Sequence, residues 1–232
     1  MKDFFGEQTL ESMNQAVWYN QWTLNGFKKY LKGRILEIGC GIGNFTKSLQ
    51  DFGEVYTIDI REDYVEKTRE FLSKKVHVGL GDIEKGKYFF DHTKFNTEVC
   101  INVLEHIKDD KKALKNLYNL LESDGYLILI VPCHPTLYGE IDRSIGHFRR
   151  YTKKNLEIML EEAGFKIIKC RRLNFLGGIG WFFSGKIFSD SKVSDTKIRI
   201  FNFFAPLFLP LEKLIEPPIA TSVLAICKKE GI

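Results

Sequence analysis

The sequence predicts a doubly wound α/β domain: a seven-stranded mixed sheet with helices on both faces and its last strand antiparallel. Three observations carry the prediction. An apolar run at Ile35–Ile38 breaks into alternate glycines and then into helical spacing. Downstream, β-rich runs alternate with helical patterns, the order of a parallel sheet built from crossover units. Several of those runs end in glycine, aspartate or asparagine, at the strand ends where such sheets take ligands.

Each element follows in turn. Residues 1–32 carry Trp18, Tyr19, Trp22, Phe27 and Tyr30, too aromatic for a disordered tail. They read as one or two helices, either covering the ligand edge or packing on the sheet. Residues 35–46 read ILEIGCGIGNFT, with Gly39, Gly41 and Gly43 followed by Phe45, Leu49 and Phe52 at helical spacing. This is strand, tight turn and helix start. Bare backbone amides and a helix N-terminus then face a ligand closely. A dinucleotide turn would need a small residue where Asn44 stands; the spacing is instead G-x-G-x-G, preceded by Glu37. Glu54–Ile60, EVYTIDI, is a second strand with Asp59 at its tip. That acid can accept from ribose-type hydroxyls or cap the helix that follows. Arg61–Lys75 has helical spacing on Val65, Phe71 and Leu72, and Val76–Ile83, VHVGLGDI, is the third strand. Val99–Ile107, VCINVLEHI, holds the fourth. A helix over Asp109–Glu122 shows Leu114, Leu117, Leu120 and Leu121 on one face, and Leu127–Pro132 is the fifth strand. Lys153–Gly164 is a helix with Thr152 as N-cap and Gly164 at C′. Phe165–Cys170 and Ser222–Lys228 supply the last two strands.

Bulk properties narrow the function by exclusion. A chain of 232 residues fits one sizeable α/β domain, and a net charge of +4 is too small to argue for nucleic acid. No basic run interleaved with aromatics forms a phosphate-tracking groove. The five cysteines are scattered without a C-x-x-C, which suits reduced core thiols in a cytoplasmic protein. The opening MKDFFGEQTL has no apolar core of a signal peptide.

The stretch E-I-G-C-G-I-G, Glu37 to Gly43, resembles motif I of the class I S-adenosylmethionine-dependent methyltransferases. The resemblance implies a Rossmann-like sheet whose last strand enters antiparallel between strands five and six. It also implies S-adenosylmethionine as cofactor. Carried onto this chain, it assigns the methionine part to Glu37, Gly39, Cys40, Gly41 and Gly43, and the ribose to Asp59 with Ile60 beside it. Asp82 and Ile83 fall at the adenine, and Asn102 and Val103 at the end of strand four. The family core spans about Gly33 to Pro132. Leu104-Glu105-His106 resembles a motif of the quinone O-methyltransferases that is associated with a divalent cation. The upstream acid of that motif falls on Asn102, so no metal is expected, and Glu105 and His106 read as capping groups facing the cleft.

Two segments lie outside that core and should set the acceptor. Residues 133–151, CHPTLYGEIDRSIGHFRRY, leave strand five on the ligand side. Their pattern resembles a methyltransferase subgroup met beside glycosyltransferases of surface-glycan pathways. His147 is the expected general base, with His134 and then His106 as rivals; Tyr138, Arg149, Arg150 and Tyr151 are the expected acceptor contacts. Residues 174–218 are aromatic, apolar and broken by prolines. They read as a lid, a monotopic membrane contact or a dimer face, the lid being the most economical. The expected activity is O-methylation of a glycan, lipid-linked or quinone-like small molecule. N-methylation of a small amine is the enzyme alternative, and a non-catalytic cofactor-binding partner of a membrane glycosyltransferase the other. A nicotinamide oxidoreductase is disfavoured by Asn44.

Overall fold

A computed structural model describes residues 10, 11, 14, 16–72, 76–181 and 195–231. The expected sheet is present with one strand more than expected. Its eight strands are β1 (Arg34–Ile38), β2 (Glu54–Asp59), β3 (Val76–Asp82), β4 (Lys87–Tyr88), β5 (Phe95–Ile101), β6 (Leu121–Pro132), β7 (Lys166–Leu173) and β8 (Ser222–Lys228). Their spatial order is β4-β3-β2-β1-β5-β6-β8-β7. The pairs from β3 through β6 are parallel, and β8 runs antiparallel between β6 and β7, as the resemblance implied. The added strand, β4, pairs antiparallel with the end of β3.

Chain order reverses at β1, with β2 on one side and β5 on the other, so the ligand crevice of such a sheet opens beyond the carboxyl ends of β1 and β5. Ile35, Leu36 and Ile38 are buried on both faces of β1, as a central parallel strand requires. One face packs Leu36, Ile38 and Leu129 against Leu104, Leu114, Leu117, Leu156 and Leu160. The other packs Ile35, Val99 and Ile128 against Leu24, Phe27 and Leu31.

The helices are α1 (Val17–Asn25), α2 (Thr46–Leu49), α3 (Glu62–Phe71), α4 (Asp110–Leu120), α5 (Glu140–Ser144), α6 (Lys153–Glu162), α7 (Phe175–Trp181) and α8 (Asp195–Phe208). Asp109 caps α4 by accepting from the Lys112 amide, and Thr152 caps α6 by accepting from the Asn155 amide. Gly164 closes α6 at φ +100°, a left-handed C′ position. The helix expected over 61–75 stops at Phe71, and 73–75 lie outside the described residues. β6 begins six residues earlier than expected, because Leu121 already pairs with Phe95 before a register shift. In the insertion, α7, α8 and a 3-10 turn at Leu209–Lys213 are described; residues 182–194 lie outside the description.

Candidate functional site

The glycine turn is built by backbone demands. Gly39, Gly41 and Gly43 sit at φ +76°, +51° and +81°, a left-handed series that side chains resist. A Cβ at Gly39 would stand 2.4 Å from Val103 Cγ2, so turn and β5 end close on each other there. The Gly39 and Cys40 amides bond to the Ile58 carbonyl, and Thr68 Oγ1 donates to the Gly41 carbonyl. Leu10 lies against Gly41, and its carbonyl accepts from Asn44, so the chain before α1 crosses the turn.

Two acids support the turn. Glu37 is buried; Thr46 and Thr57 donate to its Oε2 at 2.5 and 2.8 Å, and burial pushes its carboxyl up to about 7. Asp59 accepts from the Gly41 amide through Oδ2 and from the Arg61 amide through Oδ1, both at 3.0 Å. Burial raises its pKa against those bonds. Ile60, beside it, is 73% exposed, an apolar side chain left uncovered at the crevice edge. Cys40 is buried and its thiol is pushed up to about 12, which makes it inert.

The next strand ends carry Asp82 with Ile83, and then Asn102. Asp82 closes its own loop, accepting from the Lys85 amide and pairing with the Lys85 ammonium, and Ile83 is turned into the core. Asn102 stands exposed at φ +53°, its amide bonded to the Ile130 carbonyl.

The loop after β6 returns to the turn after β5, where Phe148 N donates to the Glu105 carbonyl. His147 Nδ1 lies 2.8 Å from Asp142 Oδ1, and Arg150 Nε donates to the same oxygen at 2.8 Å. The Gly139 amide donates to Asp142 Oδ2. Burial works to raise the Asp142 pKa, but His147, Arg150 and Gly139 outweigh it and hold the carboxyl below its ordinary value. His147 Nε2 points toward Glu105, 3.7 Å from Oε1, and its ring meets His106 edge-on at 4.6 Å. Glu105 is fully buried, neither carboxylate oxygen has a hydrogen-bond partner, and burial lifts it to about 8. Glu105, His106 and His147 each bring a ligand atom within 4.8 Å of one another. One carboxylate and two imidazoles form a donor set of the zinc or iron(II) type, which the sequence did not lead us to expect.

Three expected acceptor contacts are committed elsewhere. Arg150 is buried, bound to Asp142 and the Cys133 carbonyl. Tyr151 is buried with its hydroxyl donating to Asp110 and the Leu104 carbonyl, and Tyr138 donates to the His147 carbonyl. These two interior residues and the tethered Tyr138 fix the loop's shape. Arg149 remains partly exposed while pairing with Asp110. His134 starts a turn at φ +57°, its pKa lowered by burial and by Arg172 and Arg150. Asp142, one of the polar residues the loop's sequence pattern holds, had no expected role; the structure makes it the acceptor shared by His147 and Arg150.

A model of the methyltransferase domain matches residues 19–169. An uncharacterised protein of Methanocaldococcus jannaschii is 29% identical over 148 residues, 62% of this chain and 60% of its own length. The ubiquinone biosynthesis O-methyltransferase of Glaesserella parasuis is 28% identical over 103 residues, 41% of this chain and 44% of its own. The chain thus spans less than two thirds of either relative. The N-methyltransferase NodS of Bradyrhizobium japonicum, solved with S-adenosylhomocysteine, superposes with a TM-score of 0.60 at 16% identity, covering 92% of this chain and 86% of that one. The crevice suits the family's cofactor: a left-handed glycine cradle that a Cβ would fill, an acid with both oxygens at the β2 tip, and an uncovered isoleucine beside it. On this sheet, this turn and this family match, the chain belongs to the methyltransferase-domain family.

Proposed function

We propose that the enzyme methylates a hydroxyl group on a glycan, lipid-linked or quinone-like small molecule, with His147 as general base. The observation that carries this reading is the Arg150–Asp142–His147 array. Asp142, kept ionised by His147 and Arg150, accepts the Nδ1 proton of His147. The basic lone pair then sits on Nε2, aimed at the turn after β5. Bound S-adenosylmethionine supplies an electrophilic methyl group, so the chain's main task is alignment and proton removal. Asp59 accepts from the ribose hydroxyls, Ile60 covers the adjoining ring, and the glycine turn presents amides to the methionine end. His147 Nε2 takes the acceptor's hydroxyl proton as the oxygen attacks. Arg149, partly exposed while bound to Asp110 and the Lys108 carbonyl, meets the acceptor's polar groups with its remaining N–H donors.

An amine acceptor is the second reading, favoured by Glu105: an ammonium entering the cluster would meet a carboxylate with no other partner. The two readings separate in one experiment with a methyl-transfer assay on hydroxyl and amine acceptors. Under the first, His147→Ala lowers turnover by about 10²–10⁴ at saturating acceptor while cofactor affinity holds. Under the second, Glu105→Gln abolishes transfer and His147→Ala barely matters. Near-normal hydroxyl methylation by His147→Ala defeats the base assignment.

A further inference from the structure

Residues 200–215 turn the usual helix pattern inside out. Ala205, Leu209 and Glu212 form the inward row and are buried. Phe203, Leu207, Leu211, Leu214 and Ile215 form the outward row and are 77, 66, 58, 84 and 75% exposed. That spacing is one continuous stripe, and it holds no charge. Surface helices put polar residues there, and a contiguous apolar stripe marks an interface.

The charges around the stripe say what would cover it. The nearby acids are spent inward. Glu212 accepts the Asn174 and Phe175 amides at 2.8 and 2.7 Å, and Glu216 pairs with Lys153 and Arg172, each at 3.1 Å. Lys169, Arg171 and Lys213 line one cleft with Trp22, Leu224 and a single acid, Glu212, at the C-terminal end of the stripe, so cations outnumber acids there three to one. Arg171 gives one amine to the Glu212 carbonyl, and its Nε is buried without a partner. Burial and then the charges of Arg171 and Lys29 lower the Lys169 pKa. No described helix is long and apolar enough to cross a membrane.

We propose that this face docks on an anionic phospholipid bilayer. The Phe203–Ile215 stripe enters the acyl boundary, and the Lys169–Arg171–Lys213 cleft receives a headgroup phosphate. The test is co-sedimentation of the full chain with phosphatidylglycerol–phosphatidylcholine vesicles and with phosphatidylcholine alone. The wild-type protein should partition onto the mixed vesicles and lose binding as salt rises. Leu207→Asp with Leu214→Asp should cut partitioning at least about tenfold with the melting temperature unchanged, since both side chains are exposed. Lys169→Gln with Lys213→Gln should weaken binding to the mixed vesicles and leave that to neutral ones as it was. Equal binding by the Asp variant, or no preference for anionic vesicles, overturns the proposal. So does tight calorimetric binding of inorganic phosphate without vesicle binding. A vesicle-free dimer by light scattering that the Asp variant splits overturns it too, and makes the face a subunit interface.

Discussion

Asp59 serves two structures with two oxygens. Each already accepts a backbone amide, from Gly41 and from Arg61, and each keeps a lone pair for a hydroxyl. Charge-assisted bonds of this kind are worth about 1.5–3 kcal/mol each, so Asp59→Ala should weaken S-adenosylmethionine binding roughly tenfold or more. Calorimetry giving the wild-type affinity would remove Asp59 from the site. Arg150 asks the opposite question. Its guanidinium is buried on Asp142, so Arg150→Met strands a buried carboxylate and should destabilise the fold by about 3–5 kcal/mol in urea titration. Asp142→Leu added to it should recover much of that loss. A raised acceptor KM with stability untouched would instead return Arg150 to the acceptor. The glycines and Asp59 were legible in the sequence because motif spacing and strand-end position are local. The burial of Arg150 and Tyr151 was not, because it depends on partners at Asp142 and Asp110, and Asp110 lies 41 residues away from Tyr151.

At the scale of elements, the strands and helices declared themselves where periodicity was long enough to read. β8 runs over Ser222–Lys228 as expected, since six consecutive apolar or small residues, Ser222 to Cys227, admit little else. β4 was invisible: two residues, Lys87 and Tyr88, have no alternation, and only the turn after Asp82 brings them to Gly81. α7 shows a further limit. Its first amides are capped by Glu212, 37 residues beyond Phe175, with Asn174 in a left-handed conformation at the junction. Asn174 is itself a local N-cap, its Oδ1 accepting the Gly177 amide, but the Glu212 cap arrives from the far side of the insertion and leaves no local signal. Glu212→Ala should therefore loosen α7 and the turn at Leu209–Lys213 together, at a cost of about 1.5–3 kcal/mol for each charge-assisted bond lost. Limited proteolysis should then cut near Phe175 well before the sheet unfolds. Cleavage at the wild-type rate would show that apolar packing alone holds the insertion.

For the molecule as a whole, the buried carboxyls dominate the response to pH. Burial lifts Glu37 to about 7 and Glu105 to about 8, and it holds Glu98 well above its ordinary value despite Lys229 and Lys94. In the unfolded chain each titrates near the ordinary glutamate value of 4.5. Between that value and the raised one, the folded state keeps protons that the unfolded state has released. Stability then falls as pH rises, by at most about 1.4 kcal/mol per pH unit for each group, and levels off above the folded value. Asp142 works the other way: its lowered pKa gives stability above the ordinary aspartate range that is lost as pH falls through the folded value. The fold should thus be most stable on the acid side of neutrality and weaken toward pH 8. Glu105→Gln keeps the shape and removes one titration. In urea unfolding at about pH 5.5 and about pH 8.5, the variant should exceed the wild type by a wider margin at the higher value. Parallel losses in both proteins would mean that Glu105 is already ionised in the folded state, held by His147 at 3.7 Å, and that the cluster behind the proposed base carries a charge pair instead of a proton.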